Sequence, residues 1–384
     1  MTHLDAAADP YLAIERKLYV ERPLAPANRI VGRLELRPAS THLLLGGIGS
    51  GKTTQLLIAR DQLNALDDTL AIYIDVSKKQ HLTSLKPGIL LALAGLALGD
   101  LPSSVTARSG DEEALGRFRR WAQGHMDGEY DDDDYETDPD WVPGIVIPPD
   151  IGLHPDLKSR LADFVTLRDS RAGTKHDLIF LLDSLDRIDD LATFSKLVEQ
   201  DITALQSVGV GIVLVGPIRA MYGLDRLITE RFDQLVHLPA ADLDHDSKAF
   251  QFLIEVLRQR VPDDTLTVFA REVIARSSGG ILRDLIQLGR LALEEAYLDG
   301  ADQVTIPHAE RAADAFGRAL MIGLTQADLK VLERVRNSGA FVQTSEEDLA
   351  LLATRRVIEY RNTGVRYAVH PTIAPLLAQL AGES

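Results

Sequence analysis

A glycine-rich stretch in the first sixth of the chain has the spacing of a phosphate-binding loop. Gly46-Gly47-Ile48-Gly49-Ser50-Gly51-Lys52-Thr53 follows the apolar run Leu43–Leu45 and leads into an amphipathic stretch that starts at Thr54. In this context a strand enters the loop and a helix leaves it. Glycines let backbone N–H groups surround a phosphate, and the helix N-terminus adds the positive end of its dipole. The spacing therefore predicts a nucleoside-phosphate site over Gly46–Thr54.

Four polar side chains fit the chemistry of phosphoryl transfer. The motif places Lys52 to reach the β- and γ-phosphates and the Thr53 hydroxyl to ligate Mg²⁺. Asp183 follows the apolar run Leu178–Leu182, where a metal-holding carboxylate is expected, with a helix N-cap as its alternative role. Asp186, three residues later, is a candidate to polarise the attacking water, or a surface turn residue.

Short apolar runs alternate with stretches of helical periodicity up to about residue 240. The expected strands are Leu43–Leu45, Leu70–Val76, Leu178–Leu182, Gly211–Val215 and Leu235–Leu238. The expected helices between them are Lys52–Leu66, Gly88–Leu98, Asp156–Thr166, Leu191–Leu205 and Ala220–Thr229. Uniformly apolar strands alternating with helices predict an α/β fold with a parallel sheet covered on both faces.

The rest of the chain changes character twice. From Asp244 to about Leu320 only helical patterns occur, for example Phe250–Val261, Thr267–Arg276 and Ile281–Leu298. Thr325–Val335 and Glu346–Ala353 are then expected helices, and Val357–Tyr360 and Val365–Val369 an expected β-hairpin. The order helix, helix, hairpin is that of a winged-helix domain.

Composition excludes several classes of protein. Among 384 residues there is no cysteine, which excludes disulfides, thiolate metal sites and a cysteine nucleophile. No apolar run approaches the roughly 20 residues of a membrane helix, and the N-terminus lacks the pattern of a secretion signal. These features predict a cytoplasmic protein that does not contact membranes. The ten histidines show no metal-binding spacing.

Acidic residues are concentrated in one stretch. The net charge is −16, and nine of the fourteen residues of Asp127–Asp140 are acidic while none is basic. We expect residues of about 101–149 to form a surface insertion with few core residues. A cation site or a mimic of nucleic-acid charge is the alternative interpretation. A chain this acidic repels nucleic acid unless its basic residues are gathered in one place.

The phosphate loop and the segment after Leu178–Leu182 carry a resemblance to a known family. The chain looks like an AAA+-type P-loop ATPase of the additional-strand class, close to the border between origin-initiator-like ATPases and STAND signalling ATPases. The second motif of AAA+ proteins usually ends in Asp-Glu. Here it is Asp183-Ser184-Leu185-Asp186, which is nearer the STAND pattern of aspartate, small residue, apolar residue and acid.

The resemblance extends to three arginines. Arg219, in Gly216-Pro217-Ile218-Arg219, resembles the arginine that STAND proteins place near the γ-phosphate. Arg231 is similar in position to an arginine finger, which acts on the nucleotide of a neighbouring subunit. Arg283, within Ser277–Leu285, resembles the sensor 2 arginine of the lid. As alternatives, Arg219 and Arg231 are solvated helix ends, and Arg283 pairs with Asp284 or Glu294.

The resemblance also implies a domain order and a function. It implies an N-terminal extension (1–40), a P-loop ATPase core (41–242), a helical lid (243–322) and a winged-helix domain (323–384). The implied cofactors are ATP or ADP with Mg²⁺, and the implied activity is ATP hydrolysis, with slow turnover left open by the unusual second motif. The implied role is a switch that couples nucleotide state to self-association or to a partner protein.

Two alternative roles remain at this point, a DNA-engaging initiator or loader and a low-turnover signalling scaffold. The expected hairpin region contains four arginines, Arg355, Arg356, Arg361 and Arg366, which favours DNA contact. The expected recognition helix, however, begins with the acidic run Glu346–Asp348, and residues 324–384 hold seven basic and seven acidic residues. A DNA-binding domain is usually more basic, so a protein partner is favoured over DNA.

Overall fold

The computed structural model describes residues 4, 9–23, 25–102, 111–122, 155–172, 175–188, 190–223, 226–362 and 364–380. The chain forms two compact units. The sheet unit comprises Ala27–Leu45 and Leu56–Val236. The lid unit comprises Met1–Pro26, Gly46–Gln55 and His237–Ser384. The division into four parts at residues 40, 242 and 322 stays a prediction.

A five-stranded sheet forms the centre of the sheet unit. Its strands are β1 (Thr41–Leu45), β2 (Thr69–Asp75), β3 (Asp177–Asp183), β4 (Gly211–Val215) and β5 (Gln234–His237). Their order is β2-β3-β4-β1-β5, and the pairs β2–β3, β3–β4 and β4–β1 are parallel. Strand β4 thus lies between the strand that enters the phosphate loop and the strand that ends at Asp183. The predicted α/β fold with a parallel sheet is confirmed.

Helices account for most of the remaining described residues. In chain order they are α1 (Pro10–Glu15), α2 (Pro26–Leu36), α3 (Lys52–Asn64), α4 (Val76–Lys79), α5 (Ile89–Gly99), α6 (Asp111–Ala122), α7 (Pro155–Arg171), α8 (Leu191–Leu197), α9 (Thr203–Ser207), α10 (Ala220–Gly223), α11 (Arg226–Thr229), α12 (Ser247–Arg258), α13 (Val268–Ser277), α14 (Leu282–Leu298), α15 (Ile306–Met321), α16 (Gln326–Ser338), α17 (Glu346–Ala353) and α18 (Ala374–Leu380). Single 3₁₀ turns occur at Leu82–Ser84 and Leu185–Arg187.

The expected helix Leu191–Leu205 is interrupted by a π-helical turn at Val198–Ile202. Within this turn Asp201 is buried, and its carboxylate accepts hydrogen bonds from the backbone N–H groups of Gly88 and Leu91 at 2.8 and 3.0 Å. These two N–H groups lie at the start of α5, where a helix has no partners of its own for them. Asp201 therefore caps the buried helix α5 from a distant part of the sequence.

The expectation of a surface insertion with few core residues is wrong for α6. Phe118 and Trp121 of this helix are buried in the same core as the sheet, and the Phe118 ring lies 6.4 Å from that of Phe164. The helix packs closely on α5, because a Cβ at Gly95 would lie 2.2 Å from the Phe118 ring. The acidic stretch 127–140 lies outside the described residues.

The lid unit contains a helical bundle and, after it in the chain, two helices that lead into a β-hairpin. Helices α12 to α15 share one apolar core, which includes Leu253, Ile274, Leu288 and Phe316. Helices α16 and α17 then lead into the antiparallel hairpin of β6 (Val357–Arg361) and β7 (Val365–Val369), in which Val357 pairs with Val369. The predicted helix, helix, hairpin order is confirmed, while its assignment as a winged-helix domain stays a prediction. No helix in the described ranges has the length and apolarity needed to cross a membrane.

Candidate nucleotide-binding site

The phosphate loop closes on itself through its own backbone. Gly49 and Gly51 have φ angles of +81° and +100°, which an L side chain rarely adopts. Lys52 begins α3, and its buried ammonium donates hydrogen bonds to the carbonyl oxygens of Gly46 and Gly47, each at 2.8 Å. The loop therefore folds around the ammonium group that the motif assigns to the phosphates.

The first turn of α14 lies directly on this loop. The backbone N–H of Arg283 donates to the carbonyl of Gly49 at 3.2 Å. A Cβ at Gly49 would come within 2.6 Å of the Arg283 Cβ, and one at Gly51 within 3.0 Å of Leu282. The structure thus brings Arg283 to the phosphate loop, where the resemblance expects a sensor, and its side chain is exposed to solvent.

The residue after Arg283 connects the same helix to the C-terminal hairpin. Asp284 is fully buried, and its carboxylate forms an ion pair with Arg355 at 2.9 Å and lies 3.4 Å from the His370 ring nitrogen. Arg355 itself has a φ of +65°, an uncommon conformation for a residue with a side chain. We call Asp284, Arg355 and His370 the lid–hairpin cluster. Asp284 thus connects the first turn of α14 to the C-terminal segment, which contains Arg355 and His370.

Arg22 is a cation at the loop that the sequence did not reveal. Its guanidinium donates to the carbonyl oxygens of Ser50, at 3.1 Å, and of Pro239. Burial lowers the pKa of Arg22 to about 10, because a desolvated guanidinium loses its hydration energy. Nothing in the Pro-punctuated N-terminal segment gives Arg22 a fixed spacing from the loop, so only the folded chain identifies it.

The surroundings of the loop are electropositive. His237 is largely buried, and burial together with the charges of Arg361, Lys52 and Arg22 lowers the pKa of its imidazole to about 3. Desolvation is the largest cause of this lowered pKa, and the positive potential of the three cations adds to it, while the Glu359 carboxylate lies 3.4 Å from the ring. Such a potential favours the binding of an anion such as a polyphosphate.

Asp183 lies at the carboxyl end of β3 in the sheet unit. Its carboxylate accepts hydrogen bonds from the Tyr73 hydroxyl at 2.7 Å and from the Ser184 N–H at 2.6 Å. Through β4 its position is level with Leu44, at the edge of the sheet where β1 ends. The N-cap of the following 3₁₀ turn is Ser184, so the alternative role of Asp183 as an N-cap is wrong. Asp186 lies half-buried within that turn.

The two remaining arginines lie at opposite edges of the sheet. Arg219 is half-buried and follows the carboxyl end of β4. Arg231 is exposed, its guanidinium donates to the Thr203 hydroxyl at 3.1 Å, and its carbonyl accepts from the Gln206 amide at 2.7 Å. The same amide donates to the hydroxyl of Thr41, the first residue of β1. Arg231 is therefore held at the edge where β1 begins.

The four arginines of the hairpin region all bond to groups of the chain itself. Arg355 pairs with Asp284, Arg356 donates to the Leu320 carbonyl, Arg361 pairs with Glu359, and Arg366 pairs with Asp242. The Arg366 guanidinium also lies 4.3 Å above the centre of the Tyr360 ring. Arg355, Arg356 and Arg366 thus connect the hairpin region to other parts of the lid unit, whereas the Arg361–Glu359 pair lies within β6.

The order of the strands and the phosphate loop that follows β1 together identify the type of fold. Strand β4 is inserted between β1, which enters the phosphate loop, and β3, which ends at Asp183. The fold is that of an additional-strand P-loop NTPase. A helical lid follows the sheet, as the resemblance to origin-initiator ATPases implies.

Comparisons with known proteins find similarity at the level of structure. No protein-family model and no curated protein matches the sequence. The chain is similar to the solved structure of the Aeropyrum pernix ORC2 protein in ADPNP and ADP complexes, with 14% identity, coverage of 94% of this chain and 93% of that chain, and a TM-score of 0.47. It is also similar to the Aeropyrum pernix ORC1 protein in complex with DNA, with 13% identity, coverage of 94% and 93%, and a TM-score of 0.47.

A third similar structure is the Thermotoga maritima RuvB Holliday junction branch migration motor, with 14% identity, coverage of 91% of this chain and 94% of that chain, and a TM-score of 0.41. At this level of identity and TM-score the function has to be derived from the residues of the chain itself.

Proposed function

We propose that the chain binds ATP with Mg²⁺ at the phosphate loop, hydrolyses it, and acts as a switch that transmits nucleotide state through the lid to the C-terminal hairpin. One observation carries this proposal. Two consecutive residues at the start of α14 contact the loop and the hairpin, since Arg283 bonds to Gly49 and Asp284 to Arg355.

The cations around the loop support an anionic ligand. Lys52 and Arg22 donate hydrogen bonds to carbonyl groups of the loop, and the Cβ atom of Arg283 lies close to Gly49 of the loop. The Thr53 hydroxyl and the Asp183 carboxylate are the hard oxygen donors that Mg²⁺ prefers, and they are the proposed metal ligands. Bound Mg²⁺ would neutralise charge on the phosphates as they are transferred.

Two further residues have proposed roles in hydrolysis. Asp186 polarises the attacking water, and Arg219 approaches the γ-phosphate. Arg231 is proposed to act on the nucleotide of a neighbouring copy, because it is bonded at the sheet edge where β1 begins and the loop follows the other end of that strand.

The buried charge of Asp284 explains how a movement of the lid would reach the hairpin. A carboxylate removed from water is stable only while its partners remain in place. If Arg283 moves toward a γ-phosphate, the adjacent residue Asp284 moves too. Arg355 and His370 then either move together with Asp284 or lose their contacts with it. Either outcome changes how the hairpin is held, and the exposed hairpin or a surface beneath it then becomes available to a partner.

The contacts of the hairpin arginines favour a protein-facing switch over a DNA-engaging loader. A DNA-binding wing offers its arginines to phosphates. Here Arg361 and Arg366 pair with carboxylates of the chain, so phosphate contact would first require those pairs to break. The low-turnover scaffold remains the second candidate for two reasons. The Asp183 carboxylate already accepts hydrogen bonds from Tyr73 and Ser184, and the second motif lacks the Asp-Glu pair that is usual in AAA+ proteins.

The decisive experiment measures ATP binding and steady-state ATP turnover with Mg²⁺, with and without double-stranded DNA at low salt. We expect Mg²⁺-dependent binding that Lys52→Ala abolishes and turnover that Asp186→Ala lowers by about tenfold or more. Arg283→Ala should weaken binding of ATP more than of ADP, while Arg290→Ala, an exposed arginine on the same helix, should change neither.

Each result separates the candidates. Absence of ATP binding would refute the proposal as a whole. Tight binding with turnover that Asp186→Ala leaves unchanged would favour the scaffold. Stimulation by DNA that disappears in the Arg361→Glu/Arg366→Glu double variant would establish the DNA-engaging role instead.

A further inference from the structure

One end of the helical bundle formed by α12 to α15 exposes apolar side chains. Phe269, Tyr297 and Leu298 are 68%, 76% and 77% exposed, and Val268 and Ile306 beside them are also exposed. In the described part of the chain eleven large apolar side chains are exposed, and these five fall within 39 consecutive residues. Scattered exposed apolar residues are ordinary, but a group at one place marks an interaction surface. We call these five residues the lid-end patch.

The backbone brings the patch residues together. Leu266, just before α13, forms a β-bridge with Val304, just before α15, and the Thr267 N–H donates to the Val304 carbonyl at 3.2 Å. The chain also turns back directly after α14, where the Ala301 N–H donates to the Ala296 carbonyl at 2.9 Å. The starts of α13 and α15 and the end of α14 therefore meet at one end of the bundle.

The bundle does not need the patch residues for its own core. Leu266, Ala270, Ala296 and Val304 lie beneath them and are almost completely buried. The backbone groups at this end are paired as well, since the Val304 N–H donates to the Thr265 carbonyl at 2.8 Å. The backbone groups of the Leu266–Val304 bridge are thus bonded to each other, so a partner would recognise the patch through its side chains.

The rim of the patch is acidic. The two segments that carry it, residues 262–273 and 294–311, contain eight acidic residues and two arginines. Four of the eight carboxylates are ion-paired with arginines, Asp263 with Arg271 and Arg258, Glu295 and Asp299 with Arg311, and Glu294 with Arg290; the other four are Asp264, Glu272, Asp302 and Glu310. Asp302 and Glu310 are exposed at the same end. The rim therefore presents uncompensated negative charge around the apolar centre.

We infer that the lid-end patch docks a basic amphipathic helix of a partner protein. An apolar helix stripe would cover Phe269, Leu298 and their neighbours, while lysines or arginines flanking the stripe would meet the acidic rim. Nucleic acid and anionic membrane surfaces carry the same sign of charge as the rim and are repelled by it. This surface is independent of nucleotide binding and goes beyond the function proposed above.

The test uses a fluorescein-labelled, 18-residue helical peptide of leucine and lysine as the probe, titrated with the full-length protein without nucleotide. The same peptide with glutamate in place of lysine is the charge control. We expect the cationic peptide to bind with micromolar affinity, the acidic peptide not to bind, and added salt to weaken binding. The Lys52→Ala variant should bind the peptide as well as the wild type does, which separates this test from that of the nucleotide site.

Matched variants locate the binding surface. Phe269→Ala/Leu298→Ala should weaken binding by about tenfold or more, because both apolar contacts are lost. Ile322→Ala/Leu380→Ala removes two comparably exposed apolar side chains elsewhere on the lid unit and should leave affinity unchanged. Asp302→Asn/Glu310→Gln should weaken binding and reduce its salt dependence. Absence of binding, or equal loss in the test and control variants, would overturn the inference.

Discussion

Replacing Gly49 by alanine tests the contact between the phosphate loop and α14. The φ of Gly49 is +81°, where alanine costs about 1–2 kcal/mol. The added methyl would also lie 2.6 Å from the Arg283 Cβ, and relieving such an overlap by shifting backbone costs about 1–3 kcal/mol more. We therefore expect Gly49→Ala to lower the free energy of unfolding by about 2–5 kcal/mol in the absence of nucleotide.

Gly47→Ala is the matched control within the same loop. An added Cβ at Gly47 meets no atom within 4 Å, and Gly47 is not among the glycines with positive φ. Because alanine restricts the unfolded chain, this variant should be neutral or stabilising by up to about 1 kcal/mol. Urea-induced unfolding followed by circular dichroism measures both values.

A double-mutant cycle separates the steric part of the cost from the backbone part. Arg283→Gly removes the atom that the new methyl would meet, so Gly49→Ala should be less costly in that background, with a coupling energy of about 1–3 kcal/mol. Equal effects of Gly49→Ala and Gly47→Ala, or a coupling energy near zero, would refute the contact between the loop and α14.

Three further predictions concern buried charges. Arg355→Ala leaves the Asp284 carboxylate buried without its guanidinium and should destabilise the chain by about 3 kcal/mol, whereas Arg318→Ala, which breaks an exposed pair, should cost less than about 0.5 kcal/mol in the same unfolding assay. Burial raises the pKa of Asp201 to about 6, so its contribution to the free energy of unfolding is full below about pH 4 and is lost as the pH rises through 6. Unfolding curves measured over a pH series should no longer show this loss in Asp201→Asn. Burial lowers the pKa of His42 to about 4, so the chain loses stability as the pH falls from 6.5 to 4, and a stability profile that is unchanged in His42→Gln would contradict this assignment.

The elements of the sheet follow from local sequence. Strands such as β4 are uniformly apolar because they are covered on both faces, and the expected bounds, Gly211–Val215, are the observed ones. The phosphate loop is equally local, since its glycines and Lys52 are fixed by spacing. Helix α6 has the apolar spacing of an amphipathic helix, but the neighbouring acidic run favoured a surface insertion, and its place in the core depends on contacts with distant helices.

The rest of the candidate site depends on pairs far apart in the sequence. Arg366 and Asp242 are 124 residues apart, and Arg22 reaches Pro239 across 217 residues. No periodicity or spacing encodes such pairs, so the hairpin arginines looked available for DNA in the sequence, whereas in the folded chain three of them are ion-paired and Arg356 donates to backbone carbonyls. The π-helical turn at Asp201 escaped prediction for the same reason, because the backbone groups it caps belong to α5.

If Arg231 acts as an arginine finger, as proposed above, its position restricts the kinds of assembly that the chain can form. It is bonded at the edge where β1 begins, and the five residues of β1 place about 16 Å between that edge and the start of the phosphate loop. A chain that gives its arginine from one edge and receives another at the opposite edge assembles head to tail, which produces a closed ring or an open filament. In an open filament one terminal chain always lacks a donor, so turnover per chain would rise with filament length, whereas closure into a ring would complete every site at once.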